Sequence, residues 1–155
     1  MLLDLVVRIP VLLLEGYLNN LSVTCSKKED GMEVKIYKCK KCGQIIMEVE
    51  NKPCNVYCCG EPMEELIANT TDAAAEKHVP VYTVENFKVH VTVGSTEHPM
   101  TPEHHIAWMV LQTNHGIQLR NLDVEKGPTM VFTICEKDEV EAVYAYCNLH
   151  GLWKA

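Results

Sequence analysis

The stretch FKVHVTV, residues 87–93, alternates apolar and polar side chains along its whole length. Successive side chains of a β-strand point to opposite faces, so the odd-numbered residues are predicted to face a hydrophobic core. Phe87 is included in that buried face, together with Val89, Val91 and Val93. The polar residues between them are predicted to face solvent. This stretch therefore favours a half-buried strand of an antiparallel sheet.

Similar short runs lie on both sides of this strand, and turn residues separate them. No segment carries a convincing helical period. The spacing is typical of an all-β antiparallel sandwich or barrel. The runs are EVKIY (33–37), IIMEV (45–49), VYTV (81–84), IAWMVLQT (106–113), TMVFTI (129–134) and VEAVYAY (140–146).

Composition excludes some classes of function and leaves metal binding open. The chain has 155 residues and a formal net charge of -7, which argues against a nucleic-acid partner. No uninterrupted apolar run approaches the roughly 20 residues of a membrane helix, so no membrane association is expected. Eight Cys and seven His are unusual for this length. Many cysteines indicate disulfides in a secreted chain and metal binding in a cytosolic one. The spacing of the residues distinguishes these two possibilities.

The first 31 residues differ from the rest and are interpreted as an N-terminal extension of unknown role. A second hypothesis is that this segment is not translated natively. Residues 28–30 (Lys-Glu-Asp) can be encoded by a bacterial ribosome-binding string shortly before Met32. The natural start would then be Met32.

A change of composition at residues 68–77 divides the remaining chain. Small polar residues replace Cys-rich sequence there, so one module is predicted over 32–69 and a second domain over 70–155. The first module is too small to be stable through its own core and needs a metal or a partner.

Two cysteine pairs lie in the first module, Cys39 with Cys42 and the adjacent Cys58 with Cys59. Four thiolates suit zinc or iron, and adjacent cysteines predict a distorted tetrahedron. A structural zinc site and, less readily, disulfides are the alternatives. Three further thiols lie outside the pattern and read as spare: Cys25, Cys54 and Cys135, the last expected to be buried in a strand.

The second domain contains a set of His and Cys in three separate segments. A single His on a strand is usually hydrogen-bonded or solvated, and His90 and His115 are assigned to that class. Loops gather at one end of a sandwich, so the three segments can meet around one ion. Four His and one Cys exceed a closed tetrahedral zinc site and would leave one position open on six-coordinate iron. The segments supply His78 (EKHVP), His98, His104 and His105 (EHPMTPEHHI), and Cys147 and His150 (CNLHG).

Together these motifs resemble desulfoferrodoxin, the two-iron form of superoxide reductase, from about Met32 to Ala155. YKCKKCG and YCCGEPM are similar to the desulforedoxin-type module of that family, and the His and Cys segments to its catalytic-iron motifs. The resemblance implies a small rubredoxin- or desulforedoxin-like module followed by an immunoglobulin-like antiparallel β-sandwich. The segment NKPCNVY departs from the family's Gly-rich turn and introduces Cys54.

The resemblance also implies two iron cofactors and their ligands. His105 stands where the family commonly has Tyr and is a rival of His104, which keeps the family's interval from His98. The implied ligands of the first iron are Cys39, Cys42, Cys58 and Cys59. Those of the second are His78, His98, His104 and His150 in the equatorial positions, with Cys147 axial.

The implied function is the one-electron reduction of superoxide to hydrogen peroxide, with electrons from an external donor such as rubredoxin. Glu76 resembles the family glutamate that occupies the sixth position of the resting ferric site, and Lys77 would attract the anion. A homodimer and a cytoplasmic location are expected. Two alternatives remain open from the residues, a non-catalytic iron electron-transfer protein and a zinc-stabilised binding module.

Overall fold

The computed structural model describes residues 34–50 and 52–155. The predictions for residues 1–31, for a start at Met32 and for Cys25 lie outside the described residues. Within the described ranges, no helix is long and apolar enough to cross a membrane.

Almost all regular structure is β, as predicted. Within residues 34–50 and 52–155, two short helical turns interrupt the strands, α1 (Ala75–His78) and a 3-10 turn at Val124–Lys126. The strands in chain order are β1 (Ile36–Lys38), β2 (Ile45–Met47), β3 (Tyr57–Cys58), β4 (Glu61–Pro62), β5 (Glu64–Glu65), β6 (Pro80–Glu85), β7 (Lys88–Val93), β8 (Ile106–Thr113), β9 (Gly116–Asn121), β10 (Thr129–Thr133), β11 (Val140–Cys147) and β12 (Gly151–Lys154).

Four antiparallel sheets result. The sandwich consists of a three-stranded sheet in the order β10-β7-β6 and a four-stranded sheet in the order β12-β11-β8-β9. The N-terminal part forms a sheet in the order β2-β1-β5 and a small β3-β4 hairpin. The division of the chain into a first module and a second domain between residues 69 and 70 stays a prediction.

The core between the two sandwich sheets follows the alternation of β7. Val89, Val91 and Val93 are at most 1% exposed and pack against Met109 and Phe132 of the other strands. The prediction for Phe87 was wrong, because this residue is 53% exposed.

Phe87 lies in the two-residue turn between β6 and β7 and not in a strand. Asn86 and Phe87 have φ of 48° and 62°, the left-handed values of a type I′ hairpin turn. Such turns match the twist of the flanking strands, and Asn favours this conformation. The turn geometry therefore overrides the apolar pattern, and the side chain of Phe87 leaves the core face.

The four-stranded sheet is buried on both faces. Its inner face packs in the sandwich core, and its outer face carries a second cluster with Val110, Tyr144, Tyr146 and Leu152. Ile36 of β1, 1% exposed, packs into this second cluster. The N-terminal sheet therefore packs against a hydrophobic surface of the sandwich. This packing compensates for the small core of the N-terminal module.

Two strands of the sandwich were not predicted from the sequence. β9 (GIQLRN) is polar at one end, and β12 (GLWK) follows only three residues after β11. Cys135 also differs from expectation, because it is exposed and lies beyond the end of β10. Its backbone N–H donates to Asp138 in the turn before β11.

Candidate metal centres

The antiparallel topology brings the predicted His and Cys to one end of the sandwich. β7 and β11 end there, while β6, β8 and β12 begin there. His78 ends α1 just before β6, and Cys147 is the last residue of β11. His98 and His104 lie in the loop between β7 and β8. His150 lies in the loop between β11 and β12.

Five potential ligand atoms converge there. One ring nitrogen from each of the four His and the Sγ of Cys147 all lie within 4.8 Å of one another. His78, His98 and Cys147 are buried, while His104 and His150 are partly exposed. This is the set that the sequence predicted for the second iron.

Hydrogen bonds determine which ring nitrogens face the centre of the cluster. Nδ1 of His78 lies 2.7 Å from the carbonyl of Ala74, and Nδ1 of His98 lies 2.7 Å from that of Pro99. A carbonyl accepts only from an N–H, so both Nε2 atoms are left as lone-pair donors for a metal.

His150 is oriented the other way round. Its Nδ1 lies 2.9 Å from Nε2 of His78 and 3.5 Å from Sγ of Cys147. Because Cys147 and His150 are only three residues apart, one turn directs the Cys147 thiol and the His150 Nδ1 towards the centre of the cluster.

Two of the inward-facing atoms test whether a metal fits. Nε2 of His98 and Nε2 of His104 are buried and have no hydrogen-bond partner in the described part of the chain. Buried polar atoms are nearly always satisfied, so such a pair needs an explanation. A cation coordinated by both nitrogens supplies it.

Burial keeps these imidazoles neutral at pH 7, the state in which they bind metals. It lowers the pKa of His98 to about 4 and also lowers the pKa values of His78 and His104. For His104, the Coulombic interactions with His150 and Lys77 lower the pKa further.

The C-terminal strand encloses one side of the cluster. The ring of Trp153 stacks on that of His78, with centroids 4.7 Å apart and planes inclined by 23°. Its Nε1 donates to the carbonyl of His150 at 3.2 Å. Gly151 turns the chain with φ of 74°, after which β12 pairs with β11. Trp153 thus both covers a ligand and packs into the fold, and the C-terminus is fixed.

Glu76 and Lys77 lie in α1 directly before His78, and both are exposed. The carboxylate of Glu76 is not among the converging ligand atoms. Its backbone carbonyl accepts from the N–H of Thr96 at 3.0 Å and from Oγ of Ser95 at 3.3 Å. These bonds fix the turn that carries both charges beside the cluster.

The four cysteines of the first module form a second cluster, also within 4.8 Å of one another. Sγ of Cys42 lies 3.6 Å from Sγ of Cys58, which lies 3.8 Å from Sγ of Cys59. Cys59 has φ of 51°, a left-handed value that is uncommon for a residue with a side chain. The adjacent pair is therefore accommodated by the backbone, in keeping with the predicted distortion.

The thiols of this cluster differ in acidity. A hydrogen bond from the backbone N–H of Cys42 lowers the pKa of Cys39 to about 7. The interaction with Cys42 raises the pKa of Cys58 to about 12. Four thiolates cannot form together at neutral pH without a compensating cation, whereas a bound metal ion deprotonates its thiol ligands.

The remaining candidates do not join either cluster. Cys54 and Cys135 are exposed free thiols. His90 is exposed, and Nδ1 of His115 bonds to Asp138 at 2.8 Å. His105, the rival of His104, has its Nδ1 3.0 Å from the carbonyl of Thr101 and does not converge with the other ligands.

A β-sandwich with a His- and Cys-lined site at one end, joined to a four-cysteine site, defines a two-centre metalloprotein. A sequence model of the family described as Desulfoferrodoxin matches residues 70–155. A desulfoferrodoxin from Clostridium acetobutylicum is 42% identical over 123 residues, which are 79% of this chain and 96% of the relative. The chain belongs to the desulfoferrodoxin family.

Two further comparisons agree with this membership. A protein named superoxide reductase from Pyrococcus horikoshii is 37% identical over 105 residues, covering 54% of this chain and 87% of the relative. The crystal structure of the superoxide reductase from Treponema pallidum matches with a TM-score of 0.69 and 39% identity. It covers 80% of this chain and 99% of that one.

The family and the two clusters confirm the prediction of two iron centres, one with four Cys and one with four His and one Cys. The fold class and the resemblance are confirmed as well.

Proposed function

We propose that the chain is a superoxide reductase, an oxidoreductase that converts superoxide to hydrogen peroxide. One superoxide anion, one electron and two protons give one hydrogen peroxide. The relatives named superoxide reductase support this class of reaction. The four His and Cys147 would hold the iron, which would supply the one-electron redox chemistry.

The observation that carries the proposal is the number of ligands in the second cluster. Four imidazole nitrogens and one thiol sulfur converge within 4.8 Å. Five protein ligands exceed the four of a closed structural zinc site and leave one position of a six-coordinate metal for a small molecule. A site that only stores an electron has no need of such a position.

Each surrounding residue has a definite task. The buried Cys147 would hold the metal as a thiolate and would donate electron density to it, the role that a thiolate ligand has in some haem enzymes. Lys77 would add positive charge beside the site and attract the anion despite the acidic chain. Glu76, two residues before His78, would supply a carboxylate ligand to the site when no substrate is bound.

Cys39, Cys42, Cys58 and Cys59 would hold a second iron, which would store or relay an electron from a protein donor of the rubredoxin type. Cys42 and Cys59 are exposed, which gives a donor protein access to this cluster. A homodimer is supported by the large exposed apolar residues of the N-terminal module, Val49, Tyr57 and Ile67. The described cysteines are free thiols, which is typical of a reducing compartment and supports a cytoplasmic location.

Product stoichiometry tests the proposal. The iron-loaded chain is mixed with superoxide from pulse radiolysis in the presence of reduced rubredoxin. A reductase gives one hydrogen peroxide and one oxidised donor per superoxide, without oxygen. A dismutase gives oxygen and only half as much peroxide, and a pure electron-transfer protein leaves the superoxide decay unchanged. Either of these results would refute the reductase.

A further inference from the structure

Asn148 lies between Cys147 and His150, the two candidate ligands of the C-terminal turn. The sequence motifs do not indicate a role for it. Its backbone N–H donates to the carbonyl of His105 at 3.1 Å. Its Oδ1 accepts from the N–H of His105 at 2.9 Å, and its Nδ2 donates to the carbonyl of Glu103 at 2.8 Å. The residue therefore uses three polar groups to hold one loop.

These three hydrogen bonds hold the chain on both sides of His104. Glu103 and His105 are its two chain neighbours, and Asn148 fixes a backbone polar group on each of them. The N–H of His104 itself donates within the loop, to the carbonyl of Thr101 at 3.2 Å and to its Oγ1 at 3.1 Å. With both flanking peptides held, the direction of the Cα–Cβ bond of His104 is fixed relative to Cys147.

The hydrogen bonds of Asn148 matter because two adjacent residues offer the same kind of ligand group, an imidazole. His104 and His105 are both imidazoles, yet only Nε2 of His104 converges with the other ligand atoms. Nδ1 of His105 is instead 3.0 Å from the carbonyl of Thr101. A shift of the loop by one residue would exchange the two rings, and it would break all three bonds of Asn148.

We propose that Asn148 is a positioning residue that selects His104 over His105 as the metal ligand. The selection acts through the backbone, because Asn148 touches neither imidazole ring in the contacts described above. The inference rests on the ligand set of the proposed function, but it is independent of the reaction with superoxide.

The chain contains a matched control at the other end of the sandwich. The N–H of Asn114 donates to the carbonyl of Glu139 at 3.1 Å, and its Oδ1 accepts from the N–H of Glu139 at 2.9 Å. Its Nδ2 donates to the carbonyl of Lys137 at 3.3 Å. Asn114→Ala therefore removes the same set of side-chain bonds from a loop that holds no metal ligand.

The experiment loads the full chain with zinc and records long-range proton–nitrogen NMR spectra of its imidazoles. Zinc is diamagnetic, and a metal-bound ring nitrogen has a distinct chemical shift. The wild type and Asn114→Ala should show one set of signals, with His104 bound and His105 free. Asn148→Ala should show a second set in which His105 is bound.

Two additional measurements complete the design. Release of zinc from the His-containing site to a chelator should be about 10- to 100-fold faster in Asn148→Ala than in Asn114→Ala, the usual effect of losing a hydrogen-bonding partner behind a ligand. Adding His105→Ala to Asn148→Ala should restore a single set of signals. Asn148→Asp keeps the acceptor for His105 and loses the donor to Glu103, and it gives the readout should Asn148→Ala not fold.

The outcomes separate this inference from the proposed function. If Asn148→Ala, or Asn148→Asp in its place, keeps only His104 bound and releases zinc at the control rate, the selection by Asn148 is refuted. If His105 is bound in the wild type, the proposed ligand set is wrong and the selection falls with it. Failure of the superoxide assay alone would leave the ligand selection intact.

Discussion

The Nζ of Lys38 donates a hydrogen bond of 2.9 Å to the phenolic oxygen of Tyr146. The same ammonium group lies 5.7 Å from the centroid of the Tyr146 ring, which stacks on Trp108. Lys38 directly precedes Cys39 of the first cluster, and Tyr146 directly precedes Cys147 of the second. One polar contact thus joins the neighbours of a candidate ligand in each centre.

This contact should contribute measurably to the stability of the chain. We expect a double-mutant cycle of Lys38→Met and Tyr146→Phe to give a coupling free energy of about 1 kcal/mol in denaturant unfolding. Phenylalanine keeps the stacking on Trp108 and removes only the hydroxyl group. The control pairs Tyr146→Phe with Lys154→Met, whose ammonium lies over Tyr144 instead. A coupling near zero in the first cycle would show that the contact does not join the modules.

Replacement of the proposed thiolate ligand tests the second centre directly. Cys147→Ser should abolish the ferric thiolate charge-transfer band in the visible spectrum and reduce the rate with superoxide by orders of magnitude. The physical reason is that a serine oxygen is a harder and weaker donor than a thiolate. Cys135→Ser changes an exposed thiol outside the clusters and should leave the band unchanged. Persistence of the band in Cys147→Ser would exclude Cys147 as the ligand.

The steering role proposed for Lys77 predicts a change in the kinetics of the reaction rather than in the metal site. Lys77→Met should slow the second-order reaction with superoxide and weaken its dependence on ionic strength, because one positive charge beside the site is lost. Lys88→Met is the control, since Lys88 is exposed at the start of β7, the end that is remote from the cluster. Pulse radiolysis at several salt concentrations measures both effects. Equal rates for the two variants would refute steering by Lys77.

The turn that carries Glu76 and Lys77 depends on a close approach by Gly94. A Cβ at Gly94 would collide with the carbonyl oxygen of Thr96, and it would lie 2.7 Å from the carbonyl oxygen of Lys77 and 2.9 Å from that of Glu76. These are backbone atoms, so the turn itself would have to move. We therefore expect Gly94→Ala to lower the free energy of unfolding and to disturb the visible spectrum of the iron site.

Gly127 provides a matched control for Gly94. Its φ of 80° is close to the 84° of Gly94, but a Cβ there would meet no atom within 4 Å. Gly127→Ala thus carries backbone strain of about 1–3 kcal/mol without the collision, because its φ of 80° and ψ of 174° are accessible almost only to glycine. Denaturant unfolding should show a larger loss for Gly94→Ala. Equal losses in both variants would mean that the close contacts of Gly94 with these carbonyl groups contribute nothing.

Strand periodicity and metal-ligand spacing made much of the molecule predictable. The alternation of β7 and the turns between short apolar runs indicated the sandwich. The segments with His78, His98, His104, Cys147 and His150 indicated the site, because antiparallel strands return loops to one end. These are local patterns, and the confirmed predictions are of this kind.

The features that were missed depend on contacts between distant residues. Phe87 matches the apolar period of β7, but the hairpin turn at Asn86 places it outside the sheet. Cys135 follows an apolar strand, yet its N–H is held by Asp138 and its thiol stays at the surface. The interval from His98 favoured His104 over His105, but it did not indicate the contact of His105 with Asn148, 43 residues away along the chain. No spacing rule contains that contact.

The carboxylate of Asp138 makes stability depend on acidity. Its Oδ2 accepts from the N–H of Cys135 at 2.8 Å, and its Oδ1 accepts from Nδ1 of His115 at 2.8 Å. The bond from Cys135 holds the pKa of Asp138 below its usual 3.8, with His115 acting in the same direction. Between the folded and unfolded pKa values the unfolded chain binds more protons, so this stabilisation is complete above about pH 4 and is lost as pH falls through the folded pKa.

Asp138→Asn should remove this acid dependence. We expect the variant to be less stable than the wild type by about 1.5 kcal/mol at pH 7, and the difference to shrink as the pH is lowered from 4 to 2. Asp123→Asn is the control, because the carboxylate of Asp123 also accepts from a backbone N–H but its side chain is 50% exposed. Urea unfolding across this pH range measures both variants. A difference for Asp138→Asn that stays constant with pH would show that the ionised carboxylate is not the stabilising form.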